Sequence, residues 1–157
     1  MDLKKSTRHS KITGDFAERL VLYWLSKYGF ECAYVDHVGL DIIAKNPHTG
    51  ERMGISVKSR SRNIGTEGTF VSIPKDNLTK LDAACLVFGC QAYFAVVVDE
   101  ENKLMAFIVS KSHLLKILPP GDRVISWKMC KAWLQRYKGD PQIKWFEFIS
   151  NTGSWWT

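Results

Sequence analysis

Residues 91–99, QAYFAVVVD, are almost continuously apolar. Such a run is typical of a strand buried on both faces, because a strand with one solvated face alternates apolar and polar residues. A sheet that contains this strand needs a covering layer on each side. The chain therefore has to supply helices as well as strands, and its 157 residues suit one domain of that kind.

The first covering helix is predicted from Thr13 or Asp15 to Tyr28. Apolar residues recur there at steps of three and four, the period of an amphipathic helix. They are Phe16, Ala17, Leu20, Val21, Trp24, Leu25 and Tyr28. Gly29 is placed to end this helix, as C-terminal glycines commonly do.

Strands are predicted next, in short segments rich in β-forming residues: 31–36, 39–45 and 51–60. The turn residues Asn46, Pro47 and Gly50 predict a hairpin between the second and third strands. The polar, glycine-containing stretch 59–68 predicts an exposed loop, and a short strand is expected at 69–73.

The second half is predicted to continue with helices and strands in alternation. Pro74 suits the first position of a helix, where its missing N–H costs nothing. The further elements are a helix to Cys90, strands at 91–99 and 104–110, a short helix from Ser110 or Ser112 toward Leu118, a helix at 126–138 and a strand at 143–150. The fold class is therefore a mixed α/β sheet flanked by helices rather than a strictly alternating, doubly wound sheet.

Composition narrows the function classes. The net charge of +6 and the isoelectric point near 9.2 favour a polyanionic partner. No apolar run approaches the roughly 18 residues of a membrane span, and the N-terminal residues lack the apolar core of a secretory signal, so a cytoplasmic protein without a membrane segment is expected. Two basic clusters are expected to flank one site; they are Lys4, Lys5, Arg8 and Lys11 near the N-terminus, and Lys58, Arg60 and Arg62 after a strand.

Lys58 stands in a strand where a buried position would not favour a charge. Because side chains alternate along a strand, Ser56 and Lys58 share a face. Pairing through the 46–50 turn would bring Asp41 to the same side. Each residue also has a plain structural interpretation: Asp41 begins a strand, and Lys58 reaches water from a strand end. Glu18, at the border of the apolar helix stripe, is either solvated or aimed at the margin of the core.

The joint pattern resembles a known family. Residues 14–18 read GDFAE, residues 28–30 read YGF, Gly39 and Asp41 form a G-x-D strand, and Val57–Ser59 form V-K-S. In this order and spacing they resemble the PD-(D/E)XK nuclease superfamily, in particular archaeal-type Holliday junction resolvases and small homing-endonuclease-like members. The resemblance covers roughly residues 12–99. It implies a restriction-endonuclease-like fold with a core at about 12–110, and residues 111–157 as a helical and strand extension of one domain, 1–157.

The resemblance also implies site roles. Asp41 would bind a divalent metal, magnesium or manganese, together with the carbonyl of Val57 and with Glu18 as an auxiliary acid. Lys58 would orient the attacking water and offset charge on the phosphate. Arg60 and Arg62, with the N-terminal basic residues, would bind the phosphates of DNA. The family often acts as homodimers.

Ser56 departs from the family pattern, in which an acid precedes the lysine by two residues. A hydroxyl removes one negative charge and a strong oxygen ligand, which lowers the expected metal affinity. Glu18, Glu67 or Asp36 could supply the missing carboxylate. Otherwise the chain is a non-catalytic nucleic-acid-binding module on the same fold. The sequence thus leaves three open interpretations: an active nuclease with a weak Ser56 contact, an inactive binder and, more remotely, a structural protein whose basic charge only keeps it soluble.

Overall fold

The first helix begins before the apolar period predicts. The computed structural model describes residues 4–63, 65–66, 69–100 and 102–151. Helix α1 spans His9–Lys27. Its added first turn is held locally, since Thr13 Oγ1 donates to the carbonyl of His9 at 2.7 Å, so no apolar signal marks it.

The end of α1 is the one expected. Gly29 has φ +87°. Its N–H donates to the Ser26 carbonyl and that of Phe30 to the Leu25 carbonyl, both at 3.1 Å. This is the Schellman pattern, which a glycine in the left-handed region permits. The chain thereby changes direction and enters the first strand.

Six strands form the central sheet, in the order β1-β2-β3-β5-β6-β8. Their bounds are β1 Glu31–His37, β2 Leu40–Lys45, β3 Arg52–Arg62, β5 Gln91–Glu100, β6 Lys103–Ser110 and β8 Lys144–Ile149. A separate two-stranded sheet pairs β4 (Val71–Pro74) with β7 (Val124–Trp127). The remaining helices are α2 (Lys75–Phe88), α3 (Lys111–Ile117) and α4 (Lys131–Gly139). The expected mixed α/β class is confirmed: β3 and β5 are parallel, and the other pairs in the central sheet are antiparallel.

Both faces of the central strands are buried, as the run at 91–99 predicts. On one face, Ala17 and Val21 of α1 pack in a cluster with Ile55 and Val97. On the other, Leu81 of α2 packs in a cluster with Phe94 and its neighbours. This second cluster includes Leu114, Trp127, Tyr137 and Ile143, so residues after position 110 contribute to it.

Two predicted helix starts in the second half of the chain were also wrong. The helix expected at 126–138 starts only at Lys131, because 124–127 is strand β7 with alternating burial. Trp127 is fully buried and stacks on Tyr137 with ring centroids 4.0 Å apart. That packing needs a strand and could not be read from helical periodicity. Pro74 is the residue before α2, in an extended conformation, and the helix begins at Lys75.

Two glycines bring α2 against the strands that bear the candidate residues. A Cβ on Gly54 would lie 2.6 Å from the Cys85 Sγ. Gly39 has φ +83°, and a Cβ there would lie 2.6 Å from the Lys80 carbonyl carbon. Because Gly39 directly precedes β2, this contact sets where Asp41 enters the sheet.

Within the described residues, every helix is either too short or too polar to cross a membrane.

Candidate functional site

Asp41 lies against the strand that carries Lys58. The register pairs Ile42 with Ile55, which places Asp41 beside Ser56. The Oδ2 atom of Asp41 accepts a hydrogen bond from the Val57 N–H at 2.7 Å. Burial raises the pKa of the Asp41 carboxyl above its ordinary value, and the Val57 N–H and the Lys58 charge partly oppose that rise. The predicted proximity of Asp41, Ser56 and Lys58 is thus what the structure contains.

Lys58 is held by a residue that the sequence did not single out. Its Nζ donates to Oδ1 of Asn77 at 2.9 Å. Burial lowers the pKa of Lys58, and the nearby Asp41 carboxylate is the largest opposing influence. Asn77 lies in the first turn of α2, and only the packing of α2 on β3 brings it to Lys58. The one available sequence signal was a polar residue three positions after Pro74, in the first turn of the predicted helix.

Ser56 is buried, with 2% of its surface exposed. Its hydroxyl finds no hydrogen-bond partner among the described residues. A hydroxyl at this position can offer one neutral oxygen to a ligand but adds no charge to the site.

Glu18 approaches from α1. Its Oε2 accepts a hydrogen bond from the Tyr34 hydroxyl at 2.8 Å, and the Arg19 guanidinium lies 4.1 Å from the centre of the Tyr34 ring. Burial is the main cause that raises the pKa of Glu18, and repulsion from Asp41 adds to it. Asp41 is therefore close enough to influence the protonation of Glu18.

Of the other carboxylates considered from sequence, Asp36 does not join this pair. Asp36 is exposed, and its charge bears on the pKa of Tyr34, not on that of Asp41. Glu67 lies outside the described residues. In the part of the chain that the structure describes, no three His, Cys, Asp or Glu side chains gather as a metal-binding group.

The donors that remain still suit a hard cation. Asp41 Oδ1, the Glu18 carboxylate and the Val57 carbonyl are all oxygens, and magnesium commonly takes one or two carboxylates and keeps several waters. Val57 N–H points at Asp41, and the N–H and C=O of a strand residue face the same side. The residues expected to bind the metal thus fit a partly hydrated magnesium or manganese ion.

The two basic clusters meet beside this centre. Lys5 Nζ donates to the Ser61 Oγ at 2.7 Å and to the Arg62 carbonyl at 3.3 Å. Lys4 and Arg8 are exposed on the same segment. Lys11 forms an exposed pair with Asp15 at 3.2 Å. Arg60 is exposed, with Nη1 donating to the Phe70 carbonyl at 2.8 Å.

Arg62 has a different position from the one expected. It is 3% exposed. Its Nη2 donates to the carbonyls of Thr66 and Thr69 at 2.5 and 2.7 Å. This side chain therefore secures the chain after β3 and is inaccessible to a phosphate. A strand-end arginine in a polar stretch gives no sequence sign of burial.

The comparisons with known proteins bear on the fold. No family model matches the chain, and no curated protein matches it. Among solved structures, a Holliday junction resolvase of the archaeal hyperthermophile Archaeoglobus fulgidus is similar. The likeness covers 78% of this chain and 93% of that one, at 19% identity and a TM-score of 0.55. The restriction-endonuclease-like fold expected from residues 12–99 is therefore confirmed as a fold.

Proposed function

We propose that the protein is a metal-dependent endonuclease that hydrolyses phosphodiester bonds in DNA, including branched DNA. The observation that supports this most is the contact between Asp41 and Val57 on the strand that carries Lys58. An acid, a main-chain carbonyl and a lysine thus converge on one half-buried point. Similarity to a Holliday junction resolvase supports DNA as the substrate class.

Each residue of the centre has a distinct part in this proposal. Asp41, Glu18 and the Val57 carbonyl hold magnesium or manganese, and such an ion lowers the pKa of a bound water and offsets phosphate charge. Asn77 fixes the direction of the Lys58 ammonium. Lys58 then orients the water and stabilises negative charge on the phosphate. Ser56 supplies at most a weak or water-mediated contact.

Exposed basic side chains supply the general attraction to DNA. Lys4, Lys5, Arg8, Lys11 and Arg60 lie near the end of β3 and the start of α1. Binding through such contacts releases counterions, so it weakens steeply with added salt. The expected location in the cytoplasm stays a prediction.

A homodimer is also part of the proposal. Strand β8 is an edge of the central sheet. It exposes Trp145, Phe148 and Ile149, and a surface strand with such side chains favours pairing with another chain. A second copy of β8 would offer the same apolar side chains in return.

A non-catalytic DNA-binding module is the second candidate. It is favoured by Ser56, which leaves the site with two carboxylates instead of three, because fewer charged ligands weaken metal binding. This alternative keeps the fold and the basic surface. It predicts DNA binding that is indifferent to magnesium and to Asp41.

The deciding experiment is cleavage of end-labelled linear, single-stranded and four-way-junction DNA with magnesium or manganese. The wild type is compared with Asp41→Ala and Lys58→Ala, and with Asp15→Ala as a matched loss of an exposed acid from α1. We expect cleavage that is lost in the first two variants and kept in the control. Absence of cleavage by folded wild type that still binds DNA would establish the binding module instead.

A further inference from the structure

A cavity of about 370 Å³ lies between the start of α1 and the far half of β3. Its lining includes Lys5, Ser6, Ser10, Ser59, Arg60 and Ser61, and no carboxylate of the described residues belongs to it. We call it the hydroxyl pocket. Two cations and several hydroxyl donors around one cavity form the chemical surroundings that a phosphate prefers.

Hydrogen bonds fix one wall of the hydroxyl pocket. Ser61 Oγ lies 2.9 Å from Asp99 Oδ2, 2.7 Å from Lys5 Nζ and 3.0 Å from His9 Nε2. A carboxylate only accepts, so the single Ser61 proton goes to Asp99, and both Lys5 and His9 must donate to Ser61. Ser61 is therefore saturated, and it acts as the anchor that sets Lys5 against the cavity.

Donors remain for a ligand. Lys5 has three N–H groups, of which one goes to Ser61 and one to the Arg62 carbonyl. The hydroxyls of Ser10 and Ser59 make no hydrogen bond within the described residues. Arg60 directs one nitrogen to the Phe70 carbonyl and keeps other N–H groups. The free donors thus come from both walls of the pocket.

The position of the hydroxyl pocket relates it to Lys58. Ser59 and Ser61 follow Lys58 on the same strand, roughly 3 to 10 Å along it, but they lie on the face covered by α1, whereas Lys58 points toward α2. Strand β2 pairs with β3 only from Arg52 to Ile55. Beyond that point this edge of β3 is not paired with β2, so a polymer that crosses the open edge can reach Lys58 on one face and the pocket on the other.

We propose that the hydroxyl pocket is a dedicated binding site for one phosphate group of a nucleic-acid strand, adjacent to the candidate cleavage centre. The inference deepens the proposed function, on which it rests, by separating a built phosphate site from diffuse attraction by surface charge. The phosphate is either an internal diester or a terminal monoester, and both offer the same oxygens to these donors.

The test is equilibrium DNA binding in chelator without metal, measured by fluorescence anisotropy with 3′-labelled oligonucleotides over a range of salt concentrations. Lys5→Ala is compared with Lys4→Ala, a neighbouring exposed lysine outside the pocket lining. We expect Lys5→Ala to lower affinity about tenfold and to reduce the salt slope by about one. Lys4→Ala is expected to lower affinity about twofold. Equal losses of DNA affinity in the two variants would overturn the proposal of a phosphate site in the hydroxyl pocket.

A second comparison tests the anchor. Ser61→Ala should release Lys5. The double variant Lys5→Ala/Ser61→Ala should therefore bind DNA no more weakly than Lys5→Ala alone. Fully additive losses would mean that Ser61 does not act through Lys5 and would contradict the proposal.

The two phosphate sources are separated by oligonucleotides with a 5′-phosphate or a 5′-hydroxyl. A preference of wild type for the 5′-phosphate that disappears in Lys5→Ala assigns the pocket to a terminal monoester. Equal binding of both, with the Lys5 effect retained, assigns it to an internal diester. Because no metal is present, these results are independent of cleavage. If the protein proves not to cleave DNA, these binding results still hold. If it cleaves DNA but Lys5→Ala binds as well as wild type, only the phosphate site is rejected.

Discussion

In the proposed nuclease, Ser56 limits how strongly the candidate centre would hold a metal. It is buried beside Asp41, where a longer acid would point into the same space. An additional carboxylate there would repel Asp41 when no cation is bound and would ligate a cation when one is. An acid in place of Ser56 should therefore destabilise the metal-free protein and stabilise the metal-bound protein.

We predict that Ser56→Glu lowers the melting temperature in chelator and raises affinity for manganese on the order of tenfold. Calorimetric titration and thermal melts with and without the ion measure both effects. Ser56→Ala is the control, and it should change neither by much. A glutamate variant with unchanged metal affinity would contradict the assignment of Asp41 and the Val57 carbonyl as ligands.

A second prediction concerns how the contribution of Asp41 to folding stability depends on pH. Its pKa in the folded protein lies above the ordinary 3.8, mainly because of burial. Its contribution therefore favours folding below that ordinary value and is lost as pH rises through the folded pKa. We predict that Asp41→Asn, measured in chelator, raises the melting temperature by roughly 2 °C or more at pH 7. The gain should shrink toward pH 4. A variant that is less stable than wild type at pH 7 would show that the ionised carboxylate is stabilising.

At the scale of elements, the placement of the centre depends on how closely α2 approaches the start of β2. Gly39 is the contact point: its φ is +83° and a Cβ would meet the main chain of Lys80. Gly50, in the β2–β3 turn, has a similar φ of +74° with nothing within 4 Å. The two glycines thus share a backbone conformation and differ in their surroundings.

We predict that Gly50→Ala costs about 1–2 kcal/mol, the cost of left-handed backbone, and that Gly39→Ala costs about 1–3 kcal/mol more through overpacking. Chemical denaturation measures the difference. DNA cleavage should fall with Gly39→Ala alone, because α2 also carries Asn77. Equal destabilisation by the two substitutions would mean that α2 yields freely at this contact.

Local sequence patterns predicted the helices and turns that depend on residues close together in the sequence. The apolar period foretold α1, and Asn46, Pro47 and Gly50 foretold the hairpin that brings Asp41 to Ser56 and Lys58. Contacts between distant segments gave no such signal. Strand β7, the bond from Lys58 to Asn77 and the burial of Arg62 all depend on packing that forms only in the complete fold.

For the whole molecule, the edge strand β8 is the surface on which the proposed homodimer depends. Ile149 is 72% exposed. Leu86 is 85% exposed and lies on α2, which packs against β2, β3 and β5, whereas β8 is the edge strand beyond β6. We predict that Ile149→Lys shifts a dimer to monomers at micromolar concentration and that Leu86→Lys leaves it intact. Sedimentation velocity distinguishes the two. A dimer broken by Leu86→Lys alone would assign the interface to α2.

The chain assembles the two sides of the candidate centre by different routes. The bond from Asp41 to Val57 spans 16 residues within a hairpin, and hairpins close within microseconds. The parallel pairing of β3 with β5 must wait until the intervening β4 and α2 have crossed over, which is a slower kind of contact. In a partly folded chain Asp41 can thus meet its Val57 partner before the layers that bury it have packed. The raised pKa of Asp41, which comes mainly from burial, is therefore a property of the closed sheet and not of the hairpin alone.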